Sequence, residues 1–422
     1  MPSITELIIY IFSFLALYIQ VFLLVTFLER RKDIIIRKKP ITLSRYPSVT
    51  VVVPCYNEEN TLYKTVRSLL ALDYPKSKLK IILVDDGSTD GTWSIIRRFM
   101  KHAQIEGVQK ENGGKHTAMN LGITMSSSEL IGGLDADSFV HPEALKRIAT
   151  YFDNPETMAV APSILVHEPK NMLQWAQKAE YDMAIYTKKM LGFLKAIHVT
   201  PGPFSIFRKK VFDDLGLYRK AHNTEDQEIA LRMHKHGYQI EHCPDAYVYT
   251  VSPFNVPALY KQRLRWTYGF IKNGADYREL LFRKKYGNLA FFTLPSGAIS
   301  LLSVTALAVL LLESLFVFVK HAVIQIQAVG FHMPQFFAHT NWFYFTLSTN
   351  MIIFALLYSF VILSLSIGSS MRGGKLMPSI EVVYFIFVYT FLSPVWFIKA
   401  MYNATLSKES SWTNERQMGR VL

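Results

Sequence analysis

From Leu7 to Leu28 the chain carries no charged residue, a run long enough for a helix to cross a bilayer. Directly after it come Arg30, Arg31, Lys32, Arg37, Lys38, Lys39 and Arg45, whereas Met1–Glu6 holds no Lys or Arg. This asymmetry predicts an N-terminus outside and the next domain on the cytoplasmic side. A cleaved signal peptide is the rival reading. It is weakened because the basic cluster follows the apolar run instead of preceding it, and no small-residue cleavage site comes after. Three more apolar segments lie towards the other end, at Leu301–Val319, Trp342–Ile367 and Val382–Met401. Glu313 in the first is expected to face protein or a cavity, since a carboxylate in lipid is costly. Pro394 predicts that the last is kinked or re-entrant. Arg372 and Lys375 before it compete with Lys408, Arg416 and Arg420 after it, so the basic residues leave the side of the C-terminus open.

Most of the charge lies between Glu29 and Tyr286, so a polar domain sits between apolar ends. Of 422 residues half are hydrophobic, and 46 Lys+Arg against 33 Asp+Glu give a net charge of +13. No nucleic-acid-binding motif accompanies the basic residues, and nucleic acid is not an expected partner. The excess positive charge suits an anionic membrane face and an anionic small molecule. Cys55 and Cys243 are the two cysteines. Without CxxC spacing they read as buried small residues, not as a disulfide framework or a metal site.

Within the polar domain, short apolar runs alternate with amphipathic stretches. The runs are Val49–Val53, Lys80–Val84, Leu130–Leu134 and Met158–Ala161. Helices are expected near Glu59–Leu70, Thr92–Lys101, His116–Met125 and Pro142–Phe152. This alternation predicts a parallel, Rossmann-like α/β sheet, with ligands beyond the carboxyl ends of its strands. Asn171–Met190 reads as one longer helix. Val256–Phe282 is amphipathic and fits either a membrane interface or an ordinary surface helix.

The candidate chemistry falls at those strand ends. The first strand runs into Pro54-Cys55-Tyr56-Asn57-Glu58-Glu59, which can hold a base and ribose or simply cap a helix. The second ends in Asp85-Asp86-Gly87, where adjacent acids accept hydrogen bonds from a ligand or belong to the cap of the next helix. Asn112-Gly113-Gly114-Lys115 brings backbone and an ammonium towards a diphosphate, without P-loop spacing. Asp135-Ala136-Asp137 offers two hard oxygen ligands for Mg2+ or Mn2+. Thr224-Glu225-Asp226 opens a helix as a cap region or presents a general base. Gln262-Arg263-Leu264-Arg265-Trp266 pairs phosphate-binding guanidiniums with an indole platform, or anchors a helix at the interface.

In this order the motifs resemble those of the membrane-bound family 2 glycosyltransferases, which share the GT-A fold. Asp85-Asp86-Gly87, Asp135-Ala136-Asp137, Thr224-Glu225-Asp226 and Gln262-Arg263-Leu264-Arg265-Trp266 look like that family's D, DxD, TED and QxxRW series. Gln177-Lys178-Ala179-Glu180-Tyr181 and Pro201-Gly202-Pro203-Phe204-Ser205 look like its acceptor-side elements. The helix arrangement is similar to that of bacterial poly-β-1,6-N-acetylglucosamine synthases, and more distantly to cellulose, chitin and hyaluronan synthases. Pro203 departs from the acceptor-side pattern, and no cyclic-dinucleotide-binding domain is expected after the last span.

The resemblance implies a GT-A domain inserted between transmembrane helices. Its divisions are a first span at 1–28, a cytoplasmic catalytic domain at 29–255, an interfacial segment at 256–290, three membrane segments at 291–402 and a polar tail at 403–422. Pro54, Tyr56, Glu58, Asp86, Lys115, Asp135, Gln262 and Arg265 would hold a UDP-sugar donor. Asp137 with Asp135 would bind the metal. Asp226, beside Glu225, would be the base. Glu180, Gly202, Phe204, Ser205 and Trp266 would meet the acceptor. The implied activity is inverting transfer of a sugar, first N-acetylglucosamine, to a growing β-linked polysaccharide exported through the membrane. A small membrane partner subunit is compatible with this. Two rivals stand beside it: transfer of one sugar to a lipid, as in ceramide glucosyltransferases, and a membrane scaffold or transporter carrying a degenerate transferase domain.

Overall fold

The computed structural model describes residues 4–36, 41, 43, 45–330, 349–374 and 379–406. Arg37, Lys38, Lys39 and Lys375, the start of the Trp342–Ile367 segment, and Lys408, Arg416 and Arg420 lie outside the described residues. Helix α1, Ile4–Ile36, extends past the expected boundary at 28. The α/β part then begins with β1, Val49–Cys55, a β-branched run buried on both faces as a central parallel strand requires. There follow α2 (Leu62–Leu70), β2 (Leu79–Asp85), α3 (Thr92–Phe99), β3 (Ile105–Gln109), α4 (Lys115–Thr124) and β4 (Leu130–Gly133). Further on come β5 (Ser138–Val140), α5 (Ala144–Ala149), β6 (Thr157–Val166), α6 (Met172–Phe193), β7 (Ile206–Arg208), α7 (Lys209–Leu215), α8 (Glu225–Lys235) and β8 (Gln239–Thr250).

The eight strands form one sheet in the order β3-β2-β1-β4-β7-β6-β8-β5. The first four are parallel, with Val49 opposite Leu79 and Cys55 opposite Asp85. The sheet as a whole is mixed, because β7 runs antiparallel to both β4 and β6, and β5 antiparallel to β8. The purely parallel reading of the sequence therefore holds for one half only. Alternation of runs and helices identifies crossover units; the short β5 and β7 carry too few residues to show a period. At the seam only glycine fits: a Cβ on Gly132 would stand 2.3 Å from the Ile206 side chain. Because β1, β2 and β4 share a direction, Cys55, Asp85 and Leu134-Asp135 all emerge at one sheet edge.

The remaining helices are α9 (Val256–Asp276), α10 (Leu294–Val329), α11 (Thr349–Met371) and α12 (Ile380–Thr405). Among the described residues four stretches are long and apolar enough to cross a membrane: Leu7–Ile34, Leu289–Ala306, Met351–Met371 and Ile380–Thr405. The second begins earlier than the sequence reading of Leu301–Val319. Helix α10 runs on through Glu313, which is exposed, not turned into protein. The α1 helix packs on α10 and α11, with Phe22 and Phe292 ring centroids 4.5 Å apart, and Ser364 donates to Gln20 at 3.2 Å.

Helix α6 joins this bundle to the sheet. Arg372, just past α11, donates from Nε and Nη2 to the two Asp182 oxygens at 2.8 and 3.0 Å. Lys178 pairs with Glu381 at the start of α12. A Cβ on Gly368 would come within 1.9 Å of the Asp182 carbonyl, so α11 crosses the α6 backbone in direct contact. The end of α11 and the start of α12 therefore lie on the α/β side of the bundle.

Candidate active site

The strand-end acids divide by what they touch. Asp85 accepts from the Ser88 amide at 3.0 Å and from Gln109 at 2.9 Å. Asp86 accepts from Lys110 (2.6 Å) and from the Gly113 and Gly114 amides (3.0 and 2.8 Å). Gly114 is the N-cap of α4 and has φ +90°, which favours glycine. Asp86 thus braces the turn from which Lys115 projects, and satisfies amides the helix leaves orphaned. Glu58 is likewise buried; its backbone carbonyl accepts from the Thr61 and Leu62 amides at the start of α2, and its side chain accepts from the Thr61 hydroxyl. Pro54 is the last but one residue of β1, and Tyr56, just past the strand, is 39% exposed, an aromatic face open to a flat ligand.

Lys115 gathers the second group. Its Nζ is 2.7 Å from Asp135 and 3.6 Å from Glu225. Burial opposes its charge, yet Asp135, Glu225 and Asp226 outweigh that and hold it firmly protonated. Asp137 is pushed up to about 6 by burial and then by Asp135, with Lys115 pulling the other way. Asp226 is also pushed up to about 6, by burial and then by Glu225, against Lys115 and Arg265. One ammonium therefore serves more carboxylates than it neutralises. Among the described residues no three His, Cys, Asp or Glu side chains converge into a metal cage. Two half-buried carboxylates one residue apart, under-neutralised, nonetheless fit a hard divalent cation that takes its other ligands from elsewhere.

The Thr224-Glu225-Asp226 corner is held by α9. Ala221, His222 and Asn223 all have positive φ (41°, 54° and 62°), a costly run for residues with a Cβ. Its brace is visible. His222 meets Asp276 at 2.9 Å, Asn273 donates to the Thr224 hydroxyl at 2.8 Å, and Arg265 donates to the Asn223 carbonyl at 3.4 Å. A Cβ on Gly269 would fall 2.1 Å from that same Thr224 hydroxyl. The Asp226 carbonyl accepts from both the amide and hydroxyl of Thr200. Gln262 precedes Arg265 by one turn, and its side-chain oxygen is buried with no hydrogen-bond partner among the described residues.

The expected acceptor residues separate. A Cβ on Gly202 would stand 2.8 Å from Lys115 Nζ, so Gly202 backs onto the Lys115–Asp135 pair. Phe204 and Ser205 present no side chain to a ligand. The Phe204 ring is in the core, and the Ser205 hydroxyl is buried on the Pro201 carbonyl. The reason is local: Phe204 takes φ +64° and turns the chain back so that its amide meets the Gly133 carbonyl. Trp266 is 39% exposed. Glu180 is engaged by Arg263 and by the Tyr389 hydroxyl.

Residues 50–216 match the profile of Glycosyl transferase family 2. The chain carries a family 2 glycosyltransferase domain. Curated relatives of this chain include the poly-beta-1,6-N-acetyl-D-glucosamine synthase of Staphylococcus epidermidis, 33% identical over 52% of this chain and 54% of that protein. The synthase of the same name from Staphylococcus aureus is 31% identical over 56% and 57%. The chain thus spans about half the length of the curated relatives it matches. A mannosyltransferase from Pyrobaculum calidifontis, solved in complex with GDP-Man and Mn2+, superposes over 94% of this chain and 100% of its own at TM-score 0.58 and 19% identity. At that identity the likeness concerns the fold.

The sequence motifs missed several groups around Asp226. Lys188 on α6 is pushed down to about 8 by burial, with Asp226 opposing. His198 is pushed down to about 4 by burial, Lys188 and His234. Thr200, Asn273 and Gly269 hold the corner by contacts that no spacing signals, since each meets it from elsewhere in the chain.

Proposed function

We propose that the chain is a membrane-embedded inverting glycosyltransferase that moves a sugar from a UDP-sugar to a growing β-linked polysaccharide. N-acetylglucosamine is the first candidate sugar, in keeping with the names of the staphylococcal relatives. The observation that carries the reading is the convergence of Lys115, Asp135, Glu225 and Asp226 at one sheet edge.

Tyr56 takes the nucleoside, Pro54 and Glu58 shape its loop, and Asp86 sets the turn that aims Lys115. Lys115 and Asp135 hold the donor, and Gln262 and Arg265 steady its diphosphate. Asp137 with Asp135 would hold Mg2+ or Mn2+; the Pyrobaculum enzyme of similar fold was solved with Mn2+ and a nucleotide sugar. When bound, such an ion neutralises negative charge on the leaving diphosphate. Asp226 takes the proton of an acceptor hydroxyl. As that oxygen bonds to the anomeric carbon, the bond from carbon to the diphosphate oxygen breaks. Raised to about 6, Asp226 is a stronger base than an ordinary carboxylate and still ionised at neutral pH. Lys115 and Arg265 offset charge on the departing UDP, and Trp266 supports the acceptor ring.

Arg30, Arg31 and Lys32 at the end of α1 favour a cytoplasmic catalytic side. With the end of α11 and the start of α12 on that same side, four crossings return the end of α12 to the outer face. The membrane helices give the polymer its way out. Purified protein supplied with Mg2+ or Mn2+ and each of a panel of UDP-sugars, with mass spectrometry of the product, tests the reading. A long chain of N-acetylglucosamine supports it. A single sugar on lipid replaces it with the lipid-acceptor reading, and no transfer from any donor rejects transferase activity.

A further inference from the structure

Inside Gln262-Arg263-Leu264-Arg265-Trp266, the first, fourth and fifth residues have roles in donor and acceptor binding, and Arg263 has none. The structure makes it the most enclosed of the five, with a side chain 5% exposed. Arg263 Nη2 donates to Glu180 Oε2 at 2.5 Å and to the Tyr389 oxygen at 3.3 Å. Tyr389 in turn donates its proton to the same Glu180 oxygen. The Arg263 guanidinium lies over the Trp266 ring, 4.3 Å from its centroid. Positions three apart share a helix face, so this stack is built into α9. Its components otherwise come from separate elements: Glu180 from α6 and Tyr389 from α12. Tyr389 is further packed edge-on to Trp396, one of the large buried side chains of α12.

An indole at a helix surface samples several rotamers unless one face is held. Here a flat cation holds one face by a cation–π contact, and the other remains partly open. Arg263 itself is fixed by a charge-assisted bond to Glu180, and Glu180 by a second donor from α12. We propose that Arg263, Glu180 and Tyr389 form a positioning triad that fixes the plane of Trp266, and with it acceptor binding, to membrane helix α12. The inference deepens the polysaccharide-transferase reading and rests on it. It also gives Glu180 a role other than touching the acceptor: its carboxylate is spent on Arg263 and Tyr389. The acceptor platform is thereby keyed to the helix bundle, while the base is keyed to α8 and the Thr200 loop.

Tyr389→Phe removes one oxygen and keeps the ring packing; Arg263→Lys keeps the charge and loses the plane. The probe is a β-1,6-linked N-acetylglucosamine pentamer, its Kd read by calorimetry on full-length protein in detergent. Its KM and kcat for transfer are read beside UDP release from UDP-N-acetylglucosamine without acceptor. In Tyr389→Phe the pentamer Kd and KM rise roughly tenfold, as expected when a reacting group is misplaced by a fraction of an ångström. UDP release stays within about twofold. Arg263→Lys moves Kd and KM in the same direction and further. Unchanged Kd in both variants overturns the triad while leaving the transferase reading standing. So does a parallel fall of UDP release and transfer at constant Kd, which marks a structural contact. A wild-type protein that neither releases UDP nor binds the pentamer overturns the polysaccharide reading and the triad together.

Discussion

Two sets of acids stand at the same edge of one sheet and meet opposite surroundings. At the end of β2, Asp85 and Asp86 are spent on amides, a glutamine and Lys110. Where β4 ends and α8 begins, Asp135, Asp137, Glu225 and Asp226 crowd round one lysine, and two of them are held near 6. The first set has its donors within the chain; the second is short of positive charge and protons. Saturated acids build a loop, whereas under-neutralised buried ones are poised for a cation, a proton or a ligand. The comparison separates framework from chemistry where residue type alone cannot.

The sharpest way to break this contrast is at Asp226. Asp226→Asn should cut transfer by about 10³-fold while donor binding, read by calorimetry, persists; retained turnover would remove Asp226 as the base. Asp137→Asn, or removal of divalent ions by a chelator, should cost about 10²-fold, with ion add-back restoring only the chelated wild type. The pH profile comes next. A base raised to about 6 must be deprotonated to act, so kcat/KM should climb with pH through 6 and level off above it. One unit below that value, about a tenth of the base remains ionised and turnover falls about tenfold. A limb centred near 4 would mean that burial does not tune Asp226. The smallest effect on turnover belongs to the saturated set. Asp86→Asn weakens the bond to Lys110 and one amide, so it should lower stability by about 1–3 kcal/mol. Denaturant unfolding checks this, while kcat changes only a few-fold. A large kcat loss at unchanged stability would place Asp86 with the reactive set.

How far the sequence reveals these distinctions varies with the physics involved. The buried run Val49–Val53 and its successors locate four strands, because a strand covered on both faces must be apolar throughout. The DxD and TED positions are legible as well, since they come directly after such strands or open a helix. Phe204 is not: its aromatic side chain looks fit for a ligand, and only φ +64° reveals that it turns into the core. Asp86 looks ligand-facing for the same reason, because its partners Gly113 and Gly114 arrive from a loop 27 and 28 residues away. The helix ends drift too. Apolar composition places this segment late, at Leu301, whereas α10 starts at Leu294, directly after the stretch whose Phe292 packs on Phe22.

The crossing of α11 over α6 has a consequence for how the molecule is made. Asp182 and Arg372 are 190 residues apart, and the Gly368 contact pairs the same two helices. During synthesis every strand of the sheet has left the ribosome long before Gly368 and Arg372 have been added. A chain halted in that interval has Asp182 without its guanidinium, and α6 without the two helices that cover it. The docking of α11 and α12 therefore follows a sheet already complete in its strands. Only when these helices dock does α9 gain the neighbour on which Trp266 depends.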